Sequence, residues 1–389
     1  SMYNLADTYF VGSINTQSVA AVGVSFAMMA VIQAVGFFYG HGSGNYISRK
    51  LGAKEVEKAK KMASTGFVLS FLTGLLIAIL GQIFLTPLCV LLGSTPTIQP
   101  YAERYLGIIL LGAPFMTTSL TLNNQMRFQG NAMYAMKGIM SGVLLNLILA
   151  PLLILYFAMG ITGAAIATLV SQLLNLGLIL IGFVVCLQKE AQHPLWSLRF
   201  ETLTLRAYGG MILPILVSEF LWSLGQNVES AVYGHLGTAS LAAYTLTFPL
   251  QGLIIGALSG LSAAAGVMVG KQLGRRAYDA AYAGSQKLML AGLVGAVAVS
   301  ALLVLLAEPY SSWYRVSPDV KRLGILLLVV FALYAPIKVE NMILSGGILR
   351  SGGNTGIILV IDCLGTWCVG IPLCLLAAYG LRWGIVGVY

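Results

Sequence analysis

Long apolar stretches recur along the whole chain and constrain its fold more than any other feature. Each is long enough, at about 20 residues, to cross a hydrocarbon core of roughly 30 Å as a helix. Charged residues make up only 9% of the 389 residues, against about 25% in soluble domains. The sequence therefore predicts an all-α polytopic membrane protein. The alternating segments of about 10 residues that typify an outer-membrane barrel are not visible.

The apolar stretches predict twelve helices, of which the first and the last are incomplete. Their spans are 1–12, 18–44, 62–88, 102–126, 135–157, 161–187, 206–234, 239–270, 283–307, 322–346, 356–379 and a start at 384. The first span lacks the basic start and the small-residue cleavage site of a signal peptide. We expect the chain to be a fragment that lacks half of its first helix and most of its last.

The two halves of the sequence resemble each other at a shift of 222 residues. This shift aligns Asp7 with Glu229, Gly12 with Gly234, Pro87 with Pro309 and Pro114 with Pro336. Six helices separate each element from its image, and because this number is even the halves have the same orientation, as in other parallel repeats. The predicted domains are a first six-helix lobe at 1–187, a cytoplasmic linker at 188–205 and a second six-helix lobe at 206–389.

The net charge of +9 reflects membrane topology. Sixteen of the 22 basic residues fall in every second connection between helices, and the positive-inside rule places those connections in the cytoplasm. We therefore expect a multi-pass protein of the plasma membrane, surrounded by lipid and without a nucleic-acid partner. No histidine or cysteine spacing indicates a metal site or a hydrolase, so an enzyme with a catalytic residue or cofactor is not expected.

Six ionisable side chains are predicted at membrane depth, where each costs about 2.5–3.5 kcal/mol on insertion scales. They are Asp7, Glu219, Glu229, Lys338, Glu340 and Asp362. Asp7 is the most informative, because Tyr3 lies one helical turn before it and an acid recurs at the aligned Glu229. A carboxylate that changes its proton or cation occupancy with its surroundings is what a coupled transporter needs. For Lys338 and Glu340, structural pairing and function both stay open.

Amide and hydroxyl side chains on other helices of the first lobe could complete a site around Asp7. They are Asn123, Asn124, Asn146, Thr168, Ser171 and Gln172. Their oxygens suit a hard cation such as sodium, and they also bridge protonated carboxyl groups. The alternative is that each of these residues only forms a hydrogen bond between two helices, which stabilises the fold by about 0.6 kcal/mol per bond.

Several segments resemble the multidrug and toxic compound extrusion (MATE) family, and most of all its DinF-type branch. They are Tyr3-Asn4-Leu5-Ala6-Asp7, Ser18-Val19-Ala20-Ala21-Val22-Gly23, Ile47-Ser48-Arg49-Lys50-Leu51-Gly52, Arg127-Phe128-Gln129-Gly130-Asn131 with its echo Arg350-Ser351-Gly352-Gly353-Asn354, and Gly160-Ile161-Thr162-Gly163-Ala164-Ala165. The resemblance implies two six-helix lobes around a central cavity that opens alternately to either side. It also implies efflux of amphipathic, often cationic compounds in exchange for protons or sodium ions, by a chain that we expect to be monomeric.

The resemblance also implies which residues do this work. Asp7 is the expected coupling acid, with Tyr3, Asn146 and Thr168 beside it, and Asn123 and Asn146 are expected to meet the substrate. Members of the branch often carry a second Asp where this chain has Ala150. This difference weakens the assignment of a sodium ion to Asp7 and favours a single proton there. Glu219 and Glu229 are a further possibility, since other branches place coupling acids in the second lobe, and Glu229 ranks second after Asp7.

Two alternatives to an antiporter stay open. A flippase for lipid-linked precursors would have a similar fold, but it would favour a cavity rich in Arg and Lys. In this sequence Lys338 is the one plausible intramembrane cation. A membrane sensor or interaction protein that does not transport is the other alternative, suggested by the incomplete outer helices and by Ala150.

Overall fold

The structure, a computed structural model, describes residues 10–11, 16–92, 94–190, 202–312, 317–353 and 355–389. Within these ranges the chain is almost entirely helical and has no strand. Helices are what lipid demands, because they satisfy the backbone hydrogen bonds within one segment. Nine of the helices in these ranges are long and apolar enough to cross a membrane. The predicted all-α polytopic fold is confirmed.

Two compact units divide the chain. Unit 1 comprises Ser1–Ile47 and Glu55–Tyr208, and unit 2 comprises Ser48–Lys54 and Gly209–Tyr389. The predicted linker at 188–205 lies mostly outside the described residues, so the lobe boundaries stay a prediction. The predicted first helix lies outside them too, apart from Phe10 and Val11.

The helices of the first half begin with one that extends well past its predicted end. They are α1 (Thr16–Gly52), α2 (Val56–Ile83), α3 (Leu85–Leu91), α4 (Gln99–Gln129), α5 (Ala132–Tyr156) and α6 (Gly160–Glu190). The predicted span 62–88 was wrong in one respect, since the chain breaks at Phe84 between α2 and α3. That position carries neither Gly nor Pro, the residues that usually mark such a break.

The second half contains five long helices and one short one among the described residues. They are α7 (Thr202–His235), α8 (Thr238–Gly274), α9 (Tyr278–Ser312), α10 (Pro318–Gly352), α11 (Thr355–Gly380) and α12 (Ile385–Val388). A π-helical stretch at Met342–Leu349 interrupts α10, another at Leu364–Gly370 interrupts α11, and a third at Leu376–Gly380 ends α11. Such local widening is frequent at functional sites.

Helix α4 is the central element of unit 1, since it is the most buried of the nine helices that are long and apolar enough to cross a membrane in the described residues. Its first half contributes Tyr105, Leu106, Ile109 and Leu110 to the apolar core. Its second half carries polar side chains that are equally buried and reach other helices. Thr117 Oγ1 donates to Ser70 O at 2.9 Å, and Thr121 Oγ1 donates to Gly36 O at 3.2 Å. These bonds fix α4 against α2 and α1.

Gly74 makes the close crossing of α2 and α4 possible. A methyl group at Gly74 would lie 2.5 Å from Pro114 Cα, which is backbone and cannot rotate away. Small residues play this role in membranes because association there depends on close van der Waals packing.

We expect Gly74→Ala to destabilise the protein by about 1–3 kcal/mol, because the added methyl group overpacks the crossing. Gly177→Ala is the matched control, since nothing lies within 4 Å of a Cβ at that position in α6. The midpoint of thermal unfolding in detergent checks this. Equal midpoints for the two variants would show that the helices do not cross as described.

Candidate functional site

Asn146 and Thr168 meet between α5 and α6, inside unit 1. Asn146 Nδ2 donates to Thr168 Oγ1 at 3.1 Å, and the two residues are 1% and 0% exposed. Asn146 Oδ1 has no hydrogen-bond partner among the described residues, nor has the hydroxyl of the buried Ser171. A buried polar atom without a partner costs about 1–3 kcal/mol, so this cluster is suited to receive a further polar group or a cation.

Asp7 and Tyr3, the predicted coupling acid and its neighbour, lie outside the described residues. Val11, four residues after Asp7 in the sequence, is described and is fully buried in the apolar core of unit 1. Ala150 lies in the same core, one turn after Asn146. The position at which related sequences are expected to carry a second Asp is thus a methyl group within packed apolar side chains. This wall of the cluster offers no carboxylate.

Asn123 joins α4 to α5 through the backbone. Its Nδ2 donates to Ala135 O at 2.9 Å, and the residue is 3% exposed. Asn124 Nδ2 donates within its own helix, to Leu120 O at 2.9 Å. The bond of Asn123 is of the kind that holds helices together, and its contact with substrate stays a prediction.

Two buried amides of unit 1 were missed by the sequence analysis. Gln125 Nε2 donates to Ser43 Oγ at 3.0 Å, and Asn175 Nδ2 donates to Ser119 Oγ at 2.8 Å. The amide oxygens of both residues lack a partner among the described residues. Asn175 could have been found, because it extends the stripe of Thr168, Ser171 and Gln172 by one helical turn on the same face.

Glu219, a predicted second-lobe acid, has a cationic partner. Arg350 Nη2 lies 2.8 Å from Glu219 Oε1, and the carboxylate side chain is about half exposed. One residue before it, Ser218 donates its hydroxyl hydrogen to Asp362 Oδ2. Both acids therefore link α7 to neighbouring helices of unit 2. A coupling role for Glu219 stays a prediction.

Glu229 lines a cavity of about 620 Å³ within unit 2, formed by α7, α8, α10, α11 and α12. Gln226 Nε2 donates to Glu229 Oε2 at 3.0 Å, which holds the carboxylate on the cavity wall. Deeper in the wall, Tyr389 donates its hydroxyl hydrogen to Gln251 Oε1 at 2.6 Å. The aromatic residues of the lining are Trp222, Tyr233, Tyr244, Phe331, Tyr334, Trp383 and Tyr389.

Lys338 faces the same cavity from α10. Its Nζ lies 5.8 Å from the ring centroid of Phe331 and 6.0 Å from that of Tyr334, within the range of cation–π attraction. Glu340 points elsewhere, against Gly292 of α9, and its Oε1 has no hydrogen-bond partner in the described part of the chain. The two residues lie on different faces of α10, as their spacing predicts.

The match to a known family extends over most of this architecture. The MatE family model matches residues 1–152 and 214–376, which is more than half of the chain. The chain belongs to the MatE family. The predicted resemblance to MATE transporters is thereby confirmed, together with the predicted multi-pass location in the plasma membrane.

Curated relatives of this MatE protein are transporters. The multidrug export protein MepA of Staphylococcus aureus is 26% identical over 255 residues, which cover 64% of this chain and 55% of MepA. The matched stretch thus spans about half the length of MepA. An FAD transporter of Shewanella oneidensis is 26% identical over 351 residues, or 87% of this chain and 75% of that protein.

Solved structures show the same fold. A MATE protein crystallised in the bent conformation superimposes with a TM-score of 0.91 at 23% identity, covering 100% of this chain and 86% of that one. A transporter of the MOP superfamily from Pyrococcus furiosus gives 0.88 at 23% identity, covering 99% and 86%. At 23% identity these structures show the fold of the MatE protein and nothing further about its activity.

We expect Thr168→Val to destabilise the MatE protein by about 1–3 kcal/mol, because the buried Asn146 Nδ2 loses its acceptor. Thr118→Val is the matched control: Thr118 is also buried, but its hydroxyl group donates within its own helix, to Pro114 O at 2.6 Å. Thermal unfolding in detergent separates the two. A Thr168→Val midpoint no lower than that of the control would contradict the bond.

Proposed function

We propose that this protein is a secondary active exporter of amphipathic small molecules, driven by exchange for protons or sodium ions through alternating access. Family membership supports export, and the export of drugs is what the name MepA states of one relative. The observation that carries the coupling part is the Asn146–Thr168 cluster, which is buried, polar and free of charged groups among the described residues. A protonated carboxyl group, which can donate a hydrogen bond, or a hard cation is the natural complement to such oxygens.

Asp7 is the proposed coupling acid, with Tyr3, four residues earlier in the sequence, as its proposed neighbour. The short distance along the chain to Val11, which packs in the same core as Ala150, supports this placement. Because position 150 holds Ala, the cluster lacks a second carboxylate that would help to balance the charge of a sodium ion. We therefore favour one proton on Asp7 over sodium.

The substrates are proposed to be planar or otherwise bulky amphipathic compounds, cationic ones among them, which Asn123 and Asn146 would help to bind. The protein is proposed to act as a monomer. Glu229 is the second candidate for coupling, since it faces a cavity and is held by a neutral amide. Glu219 ranks below it, because Arg350 already neutralises its charge.

The alternatives find less support. A flippase for lipid-linked pyrophosphates would need several basic side chains in its cavity. Among the described residues that line the cavity of unit 2, Lys338 is the one basic residue. A sensor that does not transport would have no need of a buried polar cluster with unpaired oxygens, since such groups destabilise the fold.

Ethidium efflux from cells that express the protein tests the proposal. We expect Asp7→Asn to reduce efflux to the background of cells without the protein, because the amide cannot exchange a proton. Asp319→Asn is the control, since Asp319 lies in the first turn of α10, at a helix end. Undiminished efflux in Asp7→Asn would remove Asp7 from the mechanism, while absence of efflux with the unmodified protein would contradict ethidium export itself.

A further inference from the structure

We propose that the cavity in unit 2 binds planar aromatic compounds that carry an anionic group, with Lys338 as the residue that holds the anion. This inference rests on the proposed export function, because the bound compound would be cargo. It departs from the expectation of mainly cationic substrates. Four features of the described residues support it: the cavity walls, the free ammonium group, the position of Glu229 and the divergence between the two halves of the chain.

The walls of the cavity suit a flat ring system. Seven of its lining residues are aromatic, and several of their rings already pack against one another. The ring centroids of Tyr233 and Tyr244 are 5.0 Å apart, and those of Tyr334 and Tyr389 are 5.8 Å apart. Aromatic pairs at such distances prefer offset or edge-to-face contact, and a planar ligand extends the same packing. The volume of about 620 Å³ falls in the usual range for small-molecule sites.

The ammonium group of Lys338 has unused hydrogen-bonding capacity. It carries three donors and no acceptor. Among the described residues it makes cation–π contacts with Phe331 and Tyr334, and no hydrogen bond or ion pair is found for it there. The described lining includes no other basic side chain. An anionic group in the cavity would therefore find its partner at Lys338.

Glu229 lines the same cavity as Lys338. The described residues show no ion pair between the two charges. Glu229 Oε2 already accepts a hydrogen bond from Gln226, whereas the ammonium group of Lys338 donates no hydrogen bond among the described residues. Of the two charges, the cation is thus the less satisfied. The cavity favours an anion at Lys338, and Glu229 weakens that preference by competing for the same charge.

The divergence between the halves places this chemistry in unit 2 alone. At the shift of 222 residues Lys338 aligns with Met116 and Tyr334 aligns with Gly112. Met116 belongs to the packed apolar core of unit 1. A lysine is costly at membrane depth, by about 2.5–3.5 kcal/mol. Its presence where the other half has methionine therefore needs a reason, and ligand binding supplies one.

Binding of two dyes with a shared xanthene frame and opposite charge tests the proposal. The purified full chain in detergent is titrated against fluorescein, an anion, and against rhodamine 123, a cation, and binding is followed by the fluorescence anisotropy of the dye. The variants are Lys338→Gln, Lys338→Arg and Glu229→Gln. The matched control is Lys321→Gln, which alters another lysine of α10 that does not line the cavity.

We expect Lys338→Gln to weaken fluorescein binding about tenfold, as loss of one charged hydrogen bond predicts, and to leave rhodamine 123 binding equal or tighter. Lys338→Arg retains most of the affinity for fluorescein, because a guanidinium group also pairs with anions. Glu229→Gln acts in the opposite direction, with fluorescein bound more tightly and rhodamine 123 more weakly. Lys321→Gln changes neither.

Three results would overturn the proposal. The first is unchanged fluorescein binding in Lys338→Gln, and the second is an equal loss of both dyes, which indicates a purely structural lysine. The third is tighter binding of rhodamine 123 than of fluorescein by the unmodified protein. If Lys338→Gln does not fold, the opposite shifts of the two dyes in Glu229→Gln decide the question. Fluorescein binding through Lys338 without any ethidium efflux would contradict the proposed export and leave this site standing.

Discussion

The structure depends on one constraint: in lipid, the polar groups of the backbone must find their partners inside the protein. Helix formation satisfies the backbone. The polar side chains must then turn inward, and in the described residues they do so along α4 and α6. Thr117 and Thr121 reach backbone carbonyl groups of neighbouring helices, and Asn146 reaches a hydroxyl group. The same inward-facing bonds that hold unit 1 together create the polar cluster at which we propose ion coupling.

The two units meet this constraint with different chemistry. Unit 1 uses neutral amides and hydroxyl groups, packed so tightly that Asn146, Thr168 and Ser171 are almost completely buried. Unit 2 places two opposite charges, Glu229 and Lys338, on the wall of an aromatic cavity. The two halves of the sequence align at the predicted shift, but the residues at the two sites differ. Asn146 aligns with Cys368 at the shift of 222 residues, and Lys338 aligns with Met116.

The helices were predictable from sequence because length and hydropathy decide them in lipid. Asn146 and Thr168 were each named through the resemblance to MATE transporters as neighbours of Asp7, and the bond between them came from the structure. What the sequence did not predict are contacts that depend on how far each helix is rotated about its axis. Glu219 and Arg350 are 131 residues apart, and nothing local in either segment indicates their pairing. Helices that are apolar on all sides carry little periodic signal for rotation.

The cavity of unit 2 was not predicted from the sequence, for the same reason. Lys338 was recognised as an intramembrane cation, but its aromatic neighbours come from two other helices, α7 and α8, and from the non-helical Trp383 and Tyr389, as well as from its own helix. These aromatic side chains come together only through the packing of the helices against one another. The π-helical stretches in α10 and α11 add to this, since they shift side chains off the regular α-helical faces on which spacing arguments rest.

The central claim, transport of an amphipathic compound against a counter-moving ion, is tested most directly by the purified chain in sealed liposomes. Ethidium uptake is followed with an inside-acidic pH gradient, with an inside-high sodium gradient at equal pH, and with no gradient. The account predicts uptake driven by the pH gradient, with no comparable uptake under the sodium gradient. Ethidium uptake that is the same under all three conditions would contradict coupled antiport.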